Sequence, residues 1–235
     1  MYEEGSNGHA GEVLAFAGVS VASAGMHVTG VSGVSFRLEK GGLALVHVEE
    51  GAEHTPLADL ASGLLAPDAG RVCFRGEDWV EMGARRQAEQ RGCIRRVFQH
   101  YGWVANLDIV ENICLSESHH TGRTLADIAS EAEVLARRFG LDGIPAGRPT
   151  RVHPMTLRKL EWVRAFMGTP ALVILERPLL GAPKGGAEQL LEAVCEVRER
   201  EAAVLWITDE DRVWACRELA SPARYRMNGE TFGPA

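Results

Sequence analysis

No stretch of this sequence is apolar for long enough to cross a bilayer; the longest run, near Ala171 to Leu175, is the length of a strand. Any work at a membrane therefore needs another component as anchor. Basic residues are in deficit, 25 Lys and Arg against 32 Asp and Glu, for a net charge of -7. That balance excludes a broadly basic face for nucleic acid. Cysteines are few and scattered: Cys73, Cys93, Cys114, Cys195 and Cys216 contain no CxxC pair. Neither a zinc site nor a disulfide framework is indicated, and small buried thiols in a reducing compartment fit better. No targeting segment is legible in Met1 to Gly11, which is polar and glycine-rich and reads as a disordered tail over residues 1–11. Aromatic residues make up only 6%.

What is present is 46% hydrophobic residues in 235, enough for one compact core, expected over residues 12–235. Strand signals fall at Val13 to Val21, at the alternating Val31 to Leu38, and at Leu43 to Val48. A helix is expected after Glu49 to His54, with Thr55 as cap, Pro56 in its first turn and a stripe of Leu57, Leu60 and Leu64. Pro67 to Gly70 reads as a turn and Arg71 to Arg75 as a strand. Glu81 to Arg148 is polar and rich in helix formers, so it reads as mostly helical. Further helices are expected over Leu125 to Phe139, Thr156 to Met167 and Ala187 to Glu201, with strands at Ala171 to Glu176 and Ala203 to Thr208. Asn228-Gly229 between two short runs signals a hairpin. Strands alternating with helices imply an α/β protein with a largely parallel sheet. Ligands of such sheets sit at the carboxyl ends of the strands, here the loops after Val48, Glu176 and Thr208.

Those loops, with their spacing, resemble ATP-binding-cassette (ABC) ATPases over nearly the whole chain. Gly33 to Gly41 is similar to the strand before the family's phosphate loop, and Leu60 to Gly70 to the helix and turn after it. Val97 to Trp103, with Asn106-Leu107 and Glu111 to Ile113, resembles the Q-loop region. Val163 to Phe166 with Pro170 to Pro178 resembles the signature helix and Walker B strand, and Val204 to Thr208 the strand before the switch histidine. The middle segment is most similar to cassette subunits of bacterial phospholipid-trafficking (Mla-type) importers. The resemblance implies a P-loop NTPase-like cassette: a mostly parallel core sheet, an N-terminal antiparallel β subdomain, and a helical subdomain at about residues 100–165.

The family's chemistry is depleted at the matching positions. A Walker A loop needs glycines, whose backbone N–H groups face phosphate, and a lysine. Here Gly51 is the one expected glycine that remains in Gly51-Ala52-Glu53-His54-Thr55; Thr55 keeps a hydroxyl, and His54 stands at the lysine position. Glu49, Glu50 and Glu53 add negative charge. One carboxylate about 5 Å from a phosphate charge costs about 3 kcal/mol at an effective dielectric near 20. Ser20 to Gly25 offers no aromatic for stacking on adenine. Walker B normally ends in Asp-Glu; here Glu176 holds the metal position and Arg177 the catalytic one, where a guanidinium cannot act as base. Asp209 stands at the switch-histidine position. The signature motif matches His153, Pro154, Met155 and Thr156, and the D-loop Gly181-Ala182-Pro183 has no aspartate. The Q-loop, by contrast, is kept: Gln99, Tyr101 and Trp103 are expected to contact a permease.

Arg177 and His54 are expected near Glu53, Glu176 and Asp209, with Arg177 either an internal cation for these carboxylates or turned to solvent. His47 to Glu50 hints at a metal motif but has Gly51 where a second histidine would stand, and His119-His120 reads as a solvated pair.

The first reading is therefore a cassette subunit without catalysis and without a required cofactor. Its expected partners are permease membrane subunits and a second cassette, identical or not, on the cytoplasmic face of a bacterial membrane. The second is a slow ATPase that binds Mg-ATP weakly, with Mg²⁺ at Thr55, Gln99 and Glu176. The third is a ligand-binding or scaffold module outside transport.

Overall fold

A computed structural model describes residues 11–23, 29–49, 55–100, 102–182 and 185–235. The chain opens with two antiparallel strands, β1 (Glu12–Val21) and β2 (Val31–Glu39), followed by β3 (Leu43–Val48) and the short helix α1 (Leu57–Ala61). Next come β4 (Ala69–Phe74), β5 (Glu77–Asp78), α2 (Ala84–Arg91) and β6 (Ile94–Val97). Three helices follow, α3 (Ile109–His120), α4 (Leu125–Arg138) and α5 (Pro154–Phe166), and they pack on one another. The chain then returns through β7 (Leu172–Glu176), α6 (Gly186–Glu199), β8 (Ala203–Thr208), α7 (Asp211–Trp214) and a closing hairpin of β9 (Ala223–Asn228) and β10 (Thr231–Pro234).

All ten strands form one sheet in the order β5-β4-β1-β2-β10-β9-β3-β8-β7-β6. The run from β9 to β6 is parallel throughout, and β2, β1, β4 and β5 are antiparallel. The expected division into a parallel core and an antiparallel N-terminal part is thus what forms. β7 and β8 are buried at every residue because both faces of the parallel part are covered. Alternation along each strand sends side chains to two cores. Leu45, Val173, Leu175, Val204 and Trp206 join the side of α5 and α6, whereas Ala44, Val46, Ile174 and Leu205 join the side of α1.

Several expectations shift. The helix after the loop ends at Ala61, and Leu64 is 59% exposed instead of completing the stripe. Its cause is Gly63, whose φ of 62° turns the chain at the point where it meets the Trp79 ring. A Cβ there would lie 2.4 Å from a Trp79 ring atom, so Gly63→Ala should cost about 1–3 kcal/mol, read as a lower urea midpoint with unchanged slope. The mostly helical middle contains β6, a strand of the parallel sheet that its arginines disguise. α5 starts at Pro154, two residues before the expected Thr156. The hairpin pairs Asn228 with Thr231, so its connecting residues are Gly229 and Glu230.

Candidate functional site

The carboxyl ends of β3, β7 and β8 bring together residues 49, 176–177 and 209. Gly51, Ala52, Glu53 and His54, like Tyr101 and Pro183, lie outside the described residues. Thr55, just before α1, is 6% exposed.

Glu176 ends β7 on the same face as Ile174, the face toward α1. Its carboxylate accepts from Nε of Arg96, and the same guanidinium reaches Oδ1 of Asp59 on α1 at 2.6 Å. Both arms converge on a largely buried cation: the side chains of Arg96 and Glu176 are 8% and 4% exposed, that of Asp59 31%. Burial works against charge on Arg96; the hydrogen bonds and charges of Glu176 and Asp59 outweigh it and hold its pKa above the ordinary value. The guanidinium also lies 4.5 Å from the centre of the Phe98 ring. Its neighbour Arg95 points to the opposite face and pairs there with buried Glu117.

Arg177 is not turned to solvent. It is 7% exposed, its Nε lies 3.6 Å from Asp209 Oδ2, and its Nη2 donates to the Glu49 carbonyl at 2.9 Å. Its backbone has a φ of 41°, a conformation that costs a non-glycine residue on the order of 1–3 kcal/mol and needs compensating contacts. The internal-cation expectation thus holds between Arg177 and Asp209. Glu176 pairs instead with Arg96, on the adjacent strand.

At the signature position, His153 caps α5: its Nδ1 accepts the Met155 N–H at 3.3 Å, and Pro154 fills the first helical position. His153, Pro154 and Met155 are exposed and Thr156 is half-buried.

The Q-loop is held by α5. Arg158 donates to the carbonyls of Phe98 and Gln99 at 2.8 and 3.0 Å and pairs with Glu161 at 2.7 Å. Arg164 donates to the Gly102 carbonyl and sits 5.1 Å from the Trp103 ring. Asn112 of α3 fastens the far side, accepting from the Val104 N–H at 2.8 Å and donating back to its carbonyl at 3.0 Å. Gln99 and Trp103 are half-buried here. Beyond them, Gly102, Val104, Asn112 and Leu115 line an open groove of about 500 Å³. Val104 and Leu115 are 43% and 48% exposed, so it presents apolar surface.

Burial pushes the Glu161 carboxyl above the usual range, against the pull of Arg158 and Arg164. A carboxyl raised in the folded state binds its proton more tightly there than in the unfolded chain. Stability is therefore lost as pH climbs from the ordinary carboxylate value through the raised one. Relative to wild type, Glu161→Gln should gain stability across that window, measured as urea midpoints at pH 4 and pH 7; an unchanged difference between the two would contradict the assignment.

Arg96, Asp59, Arg158, Glu161 and Arg164 were not singled out from the sequence. The available signal was Ile94-Arg95-Arg96-Val97, two arginines between apolar residues beside an apolar strand, a pattern that implies paired buried charges.

No family model matches the chain. It is 26% identical over 211 residues to the uncharacterised ABC transporter ATP-binding protein YphE of Escherichia coli, covering 88% of this chain and 41% of that protein. It is 27% identical over 185 residues to the ribose import ATP-binding protein RbsA 2 of Streptomyces coelicolor, covering 77% and 35%. Against the phosphonates import ATP-binding protein PhnC of Alcaligenes faecalis it is 24% identical, covering 87% and 77%. The chain thus spans about two fifths of the length of the first two relatives. Among solved structures, a dimeric ATP-binding cassette in a post-hydrolysis state with ADP and Pi superposes with a TM-score of 0.81 at 13% identity, over 94% of this chain and 98% of that one. The ATP-binding subunit of an ABC transporter gives 0.76 at 19%, over 94% and 90%.

Proposed function

We propose that this chain, an ATP-binding cassette by fold and similar in sequence to ABC transporter ATP-binding proteins, is a cassette subunit that docks on a membrane permease without hydrolysing ATP. The observation that carries the reading is Arg177. The seat of the water-activating carboxylate holds a buried guanidinium tied to Asp209 and to the Glu49 carbonyl. A permanently protonated group there cannot accept a proton from water. The acids of the preceding loop add repulsion toward a triphosphate.

Docking is supported by the Q-loop, whose groove is built and braced independently of those seats. The permease and a second cassette are its partners, and the inner face of the membrane its place; no helix of the described residues is long and apolar enough to cross one. The relatives named above are ATP-binding proteins for ribose and phosphonate import, and one similar structure is a dimer. Lipid cargo rests on the middle segment's resemblance to Mla-type subunits alone, so a solute importer is the second reading.

Calorimetric titration of the purified chain with Mg-ATP tests this. No low-micromolar binding is expected, and no phosphate release above the protein-free rate. Brisk turnover that disappears in Glu176→Gln would overturn the reading.

A further inference from the structure

A cassette that works on Mg-ATP presents a carboxylate and a hydroxyl to the metal. The residues here do not fit that arrangement. Glu176, the carboxylate at the metal position, already accepts from Arg96, and Asp59 of α1, a second nearby acid, is bound to the same guanidinium at 2.6 Å. We propose that Arg96 stands in the seat of the divalent cation, so that β6, β7 and α1 are tied together permanently by a covalently attached positive charge. This deepens the reading of a cassette without turnover and rests on it.

Three features of the geometry favour this over a chance surface pair. First, the guanidinium is largely buried, with a side chain only 8% exposed, so its two carboxylates do not compete with bulk water for it. Second, it ties the carboxylate at the metal position, Glu176 at the end of β7, to Asp59 of α1, the helix that follows Thr55. Third, its position is forced. Arg96 pairs in register with Ile174, so on the α1 face its side chain lies diagonally beside Glu176, two residues further along β7. A planar fork can hold two carboxylates at once, which an ammonium or a single-point donor cannot do as well.

Mn²⁺ is the probe, because its free ion is read directly by electron paramagnetic resonance and it takes oxygen ligands as Mg²⁺ does. The full chain is titrated with Mn²⁺ in the absence of nucleotide, and its thermal unfolding is followed in parallel. Wild type should bind no Mn²⁺ through Glu176 and melt at the same temperature in Mn²⁺ and in chelator. Arg96→Met empties the seat and removes the guanidinium that Glu176 and Asp59 share. It should melt lower in chelator, bind one Mn²⁺, and gain about 4 °C at tenfold Mn²⁺ over its Kd. Adding Glu176→Gln to that variant should abolish both the binding and the gain.

Wild type that binds one Mn²⁺ and loses it on Glu176→Gln would overturn the proposal, as would a folded Arg96→Met that ignores Mn²⁺. Should Arg96→Met not fold alone, refolding it in Mn²⁺ gives the answer: recovery supports the proposal, and failure to recover overturns it. None of these measurements uses nucleotide. Their failure leaves the turnover assay untouched, and ATP turnover is what decides the broader reading.

Discussion

Glu176→Ala is expected to destabilise the protein by about 3 kcal/mol while changing ATP turnover not at all. The alanine leaves Arg96 largely buried, with the more exposed Asp59 as its remaining charged partner among the described residues. A buried charge that loses one partner costs far more than the pair gained by forming, because its desolvation is no longer offset. In a chain of this size that corresponds to a drop of very roughly 6–12 °C in melting temperature. The sign of the comparison is the test. A residue at a metal position in a working ATPase would show the reverse: a large loss of rate and a small change in stability. Chemical denaturation and phosphate release on the same preparation separate the two, and a stable but catalytically impaired Glu176→Ala would show that the carboxylate serves a reaction.

Arg158→Met should cost about 2–4 kcal/mol and loosen the Q-loop in particular. Arg158 satisfies the Phe98 and Gln99 carbonyls and neutralises Glu161, whose carboxylate is only 5% exposed. Without it, two backbone acceptors lose a charged donor and one buried acid loses its nearest cation. Hydrogen exchange should then accelerate over residues 98–103 more than over β3 or β8. Uniform acceleration across the chain would mean that Arg158 supports the fold generally and not this loop. The groove beside Gly102 and Val104 is shaped by the same loop, so, on the proposed function, capture of a permease should weaken in step with exchange at those amides.

The two expectations share a cause. Strand β6 carries arginines where a parallel-sheet strand ordinarily carries aliphatic residues, and α5 carries two more that face the Q-loop. Arg95, Arg96 and Arg158 each meet an acid, and Arg164 donates to the Gly102 carbonyl. On the proposed function, these internal pairs stand in for interactions with a bound, exchangeable ligand. Arg177 is a smaller case of the same kind: its left-handed backbone is held by Asp209 and the Glu49 carbonyl.

Much of this was legible before any coordinate. β3 and β8 fall at their expected boundaries because a short run of mostly apolar residues, closed by a polar turn, has few other ways to bury itself. The alternating β2 and the amphipathic α4 and α6 were equally plain. The altered residues at Arg177, Asp209, His153 and Pro154 were identifiable through the resemblance to ABC ATPases, whose motif order and spacing they follow.

Other features depended on what lies across from each residue. The stop of α1 at Ala61 depends on Trp79 packing over Gly63, sixteen positions away, which local propensity does not contain. β6 was hidden because its charges outweigh its two apolar residues in any local count, and only pairing with β7 makes it a strand. The partner of Glu176 was equally out of reach. Linear order puts Arg177 beside it, but consecutive residues of a strand point to opposite faces, so the cation that meets Glu176 comes from eighty residues away. Sequence alone determined most of the elements and, through the family resemblance, which chemical groups are missing from the loops. Tertiary structure decided which charges meet, because Coulomb energy and desolvation depend on distance and burial, and neither is a property of position along the chain.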